Sequence, residues 1–305
     1  MKYAVVGAGA VGSYYGAKLA RSGGDCDVHF LMRSDLEAVQ KNGLTIRSKD
    51  DGDFHLENVN AHGSTEEIGA CDVVLIALKT TANDALPQLI PPLLKNDTIL
   101  LTLQNGLGNE EFLARHFGAE RVLGGLCFVC LNRVAQGVVE HFGHGTLSIG
   151  EFHGPPQPRT LRIVEDFQRS GIEAKAVQNL ITERWRKLVW NIPFNGLGIA
   201  ARANVEEVLR DENLHASTRD LMRETIEVAA RCGHAIPLDF IDFQIARSWP
   251  MGPYRSSSQI DFENGREVEV ESIWGEPYRQ AVAAGANAPR LEMLYFLIKH
   301  LVAKK

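Results

Sequence analysis

Near the N-terminus a short apolar stretch runs directly into three glycines. The segment KYAVVGAGAVGS, residues 2–13, holds Gly7, Gly9 and Gly12 in the spacing G-x-G-x-x-G. The spacing alone is weak evidence. Here it follows a strand-like run and opens a helical one, AVGSYYGAKLAR, which is the context a dinucleotide loop requires. Gly7 permits the tight turn, Gly9 leaves room for a pyrophosphate, and Gly12 lets helix and strand pack closely. Phosphates are then expected at the positive end of the helix, on the N–H groups of Ala10, Val11 and Gly12. The competing reading is a strand-to-helix turn whose glycines serve packing alone.

The alternation continues. CDVHFLMR, CDVVLIALK, DTILLTLQNG and RVLGGLCFVCL read as strands, with helical stretches such as NEEFLARHFG and a loose DALPQLIPPLL between them. Strand and helix in turn predict a parallel, doubly wound sheet. The first helix is expected to stop at Gly23-Gly24. LTIRS and FHLENVNAHG read as an added strand pair, and GVVEHFGHGTLSIGEF as an antiparallel pair at the far edge of the sheet. RTLRIVEDFQRSG is an amphipathic helix and IEAKAVQN a last strand. From residue 179 helical stretches follow one another, the first over 179–205, with no clear strand. The expected fold is α/β: an N-terminal Rossmann-type doubly wound sheet, the NADP-binding domain, over residues 1–178. An all-helical substrate and catalytic domain would occupy residues 179–305.

A length of 305 residues suits two domains. The net charge of -6 gives no basic footprint for nucleic acid. No apolar run approaches the roughly 20 residues that span a bilayer, and the glycine loop at Gly7 leaves no room for a signal peptide. Five cysteines, an odd number, suggest reduced thiols and a cytoplasmic protein. Cys127 and Cys130 form one C-x-x-C with His141 and His144 downstream. Their apolar surroundings favour buried cysteines in a strand, so no metal is expected. Oligomeric state is not legible, and a homodimer is admissible.

The second strand ends FLMRSD. An NAD enzyme usually carries a carboxylate there for the ribose hydroxyls. Arg33 and Ser34 stand in that place, and a guanidinium pairs with a 2′-phosphate, so NADP is favoured. In the alternative, Arg33 is a solvated charge and Asp35 binds the ribose. Two further loops leave carboxyl ends of expected parallel strands: LKTT, with Lys79, and LQNGLGN, with Gln104 and Asn105. Lys79 could meet cofactor or substrate charge, and Asn105 the ribose or carboxamide; either could equally be an ordinary loop residue.

The segment KLVWNIPFN places Lys187, Asn191 and Asn195 four apart, hence on one helix face among apolar neighbours. Buried amides and ammonium groups require partners, so a polar row in an apolar helix suggests a ligand groove. The alternative is a lysine that snorkels at a domain edge beside loop-capping asparagines. Pro193 removes one backbone hydrogen bond and is expected to kink the helix.

ERWRKLVWNIPFNGLGIA resembles the signature helix of the ketopantoate reductase family, with its pattern W-x-K-L-x-x-N-x-x-x-N. GAGAVGSYYGAKLARSG, LQNGLGNEE and SSSQIDFENGREVEVE match in the same order, so the resemblance covers essentially the whole chain. It implies a Rossmann domain followed by a helical domain, and NADPH-dependent reduction of a 2-oxo acid, 2-dehydropantoate in the family's own reaction of pantothenate biosynthesis. Lys187 matches the catalytic lysine that gives a proton to the carbonyl oxygen. Asn191 and Asn195 match substrate-binding asparagines, and Ser257 the serine that binds the substrate carboxylate. Glu269 matches the acidic residue that orients substrate and lysine, and counts among the cofactor contacts with Arg33, Lys79 and Asn105. Asn105 lies near the nicotinamide end, within reach of substrate.

The chain departs from the family pattern in two places. SSSQID puts Ser258 and Ile260 where Met and Gln are usual, and SIWG puts Ser272 and Trp274 in a helix beside the groove. These departures leave the oxo acid itself open. Glu263, Glu267 and Glu271 compete with Glu269 for the acidic role. Rival functions are another two-domain dehydrogenase, a paralogue acting on a different oxo acid, and a non-catalytic NADP-binding redox sensor.

Overall fold

The computed structural model describes residues 1–22 and 26–304. The expected helix stop at Gly23-Gly24 lies outside them. The chain divides into two compact units, one of Met1–Gln104 with Asn109–Leu180, the other of Asn105–Gly108 with Ile181–Lys305.

The strands of the first unit are β1 (Lys2–Val6), β2 (Asp27–Leu31), β3 (Leu44–Ser48), β4 (Phe54–Leu56), β5 (Asn60–His62), β6 (Val73–Ile76), β7 (Ile99–Thr102), β8 (Val122–Ala135), β9 (Val138–Glu151) and β10 (Ala174–Ala176). Its helices are α1 (Ala10–Arg21), α2 (Leu36–Asn42), α3 (Thr65–Ile68), α4 (Leu86–Leu89), α5 (Asn109–Phe117) and α6 (Pro158–Arg169). The sheet runs β4-β3-β9-β8-β7-β6-β1-β2-β5, with β10 added to β9. From β5 to β8 every neighbouring pair is parallel. The carboxyl ends of β1, β2, β6 and β7 therefore lie along one margin. Loops from a parallel sheet gather there, and ligands of this fold class bind there.

Period-two alternation builds a core on each face. Tyr3 and Val5 of β1 join Tyr15 and Leu19 of α1 and Phe167 of α6 on one side. Ala4 and Val6 join Ile68, Leu86 and Leu113 on the other. Burying each such aliphatic side chain contributes about 1.5–3 kcal/mol.

Two edge expectations are corrected. GVVEHFGHGTLSIGEF, expected as an antiparallel pair at the far edge, forms one long strand, β9, which is antiparallel to β8 and is not an edge. Its first half pairs with β3 and its second half with β10. A strand of 14 residues would otherwise present a row of unpaired backbone groups, and the two short strands cover them. FHLENVNAHG also splits. β4 pairs antiparallel with β3, while β5 joins β2 at the opposite end of the sheet.

The second unit is helical: α7 (Leu180–Ala200), α8 (Val205–Arg210), α9 (Glu212–Arg231), α10 (Phe240–Ser248), α11 (Ser257–Glu263), a π-helical turn (Glu271–Gly275), α12 (Glu276–Ala283) and α13 (Pro289–Ala303). The stretch read as helical over 179–205 ends at Ala200. Arg202 adopts a positive φ of 54°, and Asn204 starts α8 by accepting from the Glu207 backbone while Glu207 bonds back. One apolar cluster fills the unit, including Trp185, Leu188, Ile192, Trp274, Leu294 and, from the short loop segment, Leu107.

Candidate active site

The glycine loop brings β1 and α1 close together and leaves the start of α1 open. Gly7 has φ 105°, and a Cβ there would run into the Leu78 backbone. A Cβ on Gly12 would strike the Gly7 carbonyl and Val5, so α1 sits directly against β1. Gly9 differs: a Cβ there meets nothing within 4 Å. Gly9 is the N-cap of α1, and no side chain caps that end. The first-turn N–H groups, on Ala10, Val11 and Gly12, have no partner inside the helix. Open space before uncapped amides fits the pyrophosphate of a dinucleotide.

The loop after β2 separates its two charged residues. Arg33 is exposed, and no hydrogen bond engages its side chain among the described residues. Asp35 is buried. Its carboxylate accepts from Arg133 at 2.9 Å, from Ser34 at 2.8 Å and from the Gly137 N–H at 3.3 Å. The carboxylate offered as an alternative ribose ligand is thus occupied by the β8–β9 hairpin.

The loops after β6 and β7 are tied together by amides. Gln104 donates to the Leu78 carbonyl at 3.0 Å and to Asn83 at 2.7 Å, and accepts from Thr102 at 3.0 Å. Asn83 in turn donates to Asn109 at 3.2 Å. Lys79, half-buried, follows Leu78 directly and caps the 3-10 turn Thr80–Ala85. Periodicity could not single out Asn83, because its partner is fixed only by the neighbouring strand.

In the helical unit, Lys187, Asn191 and Asn195 lie on α7 as a row. Lys187 Nζ donates to Asn105 Oδ1 at 2.7 Å. Asn105 is held in place by its own segment: the Leu107 N–H donates to the Ser272 carbonyl at 2.9 Å. Gly106, at φ 83°, lies so close to Ser272 that no side chain would fit. Asn191 is 8% exposed, and among the described residues no hydrogen bond engages its amide. Asn195 accepts from the Ser258 N–H at 3.4 Å. A nearly buried amide without a partner beside a lysine suits a polar ligand.

α7 continues through Pro193 as one helix. Trp274 is fully buried, and its indole N–H donates to the Ile192 carbonyl at 3.1 Å. Of the two departures in SIWG, Trp274 acts through its side chain, and the Ser272 hydroxyl donates to the Glu269 carbonyl at 3.4 Å. Trp274 braces α7, and the Ser272 backbone anchors the Asn105 segment.

Glu269 is half-buried and lies just before the π-helical turn. Glu271 bonds Arg279, Tyr295 and Lys299. Glu263 bonds Arg255 and Gln259, and Glu267 is exposed. Ser257 is exposed in the first turn of α11, next to the buried N-cap Ser256. Cys127 and Cys130 are buried on β8, and His141 bonds Ser48 and the His144 carbonyl.

Comparison with known proteins decides the family. The profile described as ketopantoate reductase PanE/ApbA matches residues 3–154, and its C-terminal companion matches residues 179–302. The chain belongs to the ketopantoate reductase family. A 2-dehydropantoate 2-reductase from Nostoc sp. is 44% identical, over 98% of this chain and 95% of its own length. A crystal structure of 2-dehydropantoate 2-reductase from Geobacter metallireducens superposes with a TM-score of 0.95 at 43% identity, covering 98% of this chain and 99% of that one. A D-mandelate dehydrogenase solved with NADH and anilino(oxo)acetate has a TM-score of 0.90 at 22% identity, covering 100% and 99%; that likeness is one of fold alone. The chain is an oxidoreductase of an NAD(P)-dependent family with a Rossmann-type sheet. No helix among the described residues is long and apolar enough to cross a membrane.

Proposed function

We propose that this chain reduces 2-dehydropantoate to pantoate, with NADPH as reductant and Lys187 as proton donor. The bond from Lys187 to Asn105, on a face that also carries Asn191 and Asn195, is the observation that supports the reading most directly. The first unit would hold the dinucleotide through Gly7, Gly9, Ala10, Val11, Gly12, Arg33 and Lys79. When bound, the nicotinamide supplies the hydride to the oxo carbon.

The residues of the helical unit manage charge and position. Negative charge grows on the oxo oxygen during reduction, and the Lys187 ammonium stabilises it and releases a proton to it. Asn105 fixes the ammonium, and Glu269 orients lysine and substrate. Asn191 has amide valence to spare for the substrate's hydroxyl, with Asn195 as its neighbour on the row. Ser257 is the ligand for the carboxylate. The five cysteines fit a reducing, cytoplasmic setting.

The test is consumption of NADPH with a panel of 2-oxo acids, on wild type and Lys187→Ala. Fastest turnover with 2-dehydropantoate, lost in the variant while NADPH still binds, supports the proposal. Unchanged turnover in the variant removes Lys187 from the chemistry. Preference for another oxo acid makes the chain a paralogue with a different substrate, and tight NADPH binding without turnover revives the redox-sensor reading.

A further inference from the structure

We infer that Arg133, carried on the β8–β9 hairpin, is a second binding residue for the 2′-phosphate of NADP and sets coenzyme choice together with Arg33. This rests on the NADPH reading above and extends it to a residue about one hundred positions away in sequence.

The loop after β2 is where a 2′-phosphate arrives in a sheet of this type. Two residues beyond Arg33, Asp35 puts a carboxylate into the same loop, which would repel a phosphate dianion. The hairpin removes that obstacle. Arg133 Nη1 donates to Asp35 at 2.9 Å, the Gly137 N–H adds a bond at 3.3 Å, and the Asp35 side chain is left only 8% exposed. Gln136 donates to the Ser34 carbonyl at 2.6 Å, so the hairpin also fixes the loop's backbone.

One nitrogen of Arg133 is enough for these contacts. Nη1 also reaches the Ser34 hydroxyl at 3.3 Å, and no hydrogen bond engages Nε or Nη2 among the described residues. The side chain is 42% exposed. A guanidinium has five donors in a rigid fork, and those left over suit phosphate oxygens. Arg33 and Arg133 thus provide two cations at one loop, with the Asp35 carboxylate of that loop already paired to Ser34, Arg133 and the Gly137 N–H.

The experiment compares kcat/KM with NADPH and NADH for wild type, Arg133→Ala and the double variant Arg133→Ala/Asp35→Asn, with melting curves for each. Wild type should prefer NADPH; a preference for NADH would instead defeat the underlying coenzyme reading. In Arg133→Ala the KM for NADPH should rise about 10- to 100-fold, the size of one lost charge-assisted contact, and the NADPH/NADH ratio should fall with it. The double variant removes the carboxylate that Arg133 neutralises. Restored melting without restored NADPH preference supports direct phosphate binding. Restored preference, or equal losses with both coenzymes, would show that Arg133 acts only by holding Asp35, and would overturn the inference. An unchanged ratio in Arg133→Ala would do the same.

Discussion

Lys187 Nζ and Asn105 Oδ1 are 2.7 Å apart, although 82 residues separate them in sequence. The bond depends on a backbone arrangement. Gly106 and Leu107 are pinned to Ser272, so the segment after β7 presents Asn105 to α7. A lysine with a defined partner keeps its ammonium in one place, which the proposed proton delivery would require.

Replacing Lys187 with Ala should lower kcat about 10²- to 10⁴-fold, the usual size of a positioned acid's contribution. Asn105→Ala should cost less, because the lysine remains. The two residues share one bond, so the double variant should be little worse than Lys187→Ala. Steady-state kinetics of the three variants checks this. Multiplying losses would mean that the two act independently.

The glycines of the loop should fail in different ways. Gly12→Ala forces a methyl against the Gly7 carbonyl and Val5, and should destabilise the fold by about 1–3 kcal/mol. Gly9→Ala meets open space, so its melting temperature should stay near wild type while dinucleotide affinity falls. Thermal melts with and without NADPH separate the cases. Intact affinity in Gly9→Ala would place the pyrophosphate elsewhere.

Trp274 should matter for stability before chemistry. Trp274→Ala empties a fully buried site and should cost about 3–5 kcal/mol. Trp274→Phe retains most of the volume and loses the bond to the Ile192 carbonyl, for a smaller cost of about 1–3 kcal/mol. Denaturant unfolding measures both, and equal stabilities would argue against the bracing role.

Acid should weaken the pairing of Asp51 with Lys18, which are 2.9 Å apart with the lysine buried. Burial pushes the Asp51 carboxyl up, but Lys18 and the Tyr14 hydroxyl outweigh it and hold its pKa below the ordinary value. Its contribution is therefore full above the unfolded value of about 4 and is lost as pH falls through the lower folded value. Asp51→Asn should cost at most about 3 kcal/mol at neutral pH, since the carboxylate is partly in water. The gap in melting temperature between wild type and variant should close below about pH 4. A gap that stays constant down to pH 3 would exclude the pair as its source.

Local pattern was enough for most elements because local forces make them. The glycine spacing, the buried apolar run of β6 and the polar row on α7 each follow from period two or period 3.6 within a single segment. The fold class and the Lys187 row were therefore legible from the sequence. Edge order was not, because β3 and β10 pair with β9 through backbone groups that any residue supplies. The end of the first long helix depended on a capping interaction at Asn204 with Glu207 that helical composition conceals.

The sequence by itself determined which groups are available and in what local order: three glycines at a strand-to-helix turn, an arginine in place of an acid after β2, and an ammonium with two amides on one helix face. Only the tertiary structure decided their partners. Asn105 belongs to Lys187, Asp35 to Arg133, Ile192 to Trp274 and Glu271 to Arg279 and Lys299. The physical reason is range. Helix and strand periodicity act over a few residues, whereas a hydrogen bond acts over about 3 Å between groups that only the folded chain brings together.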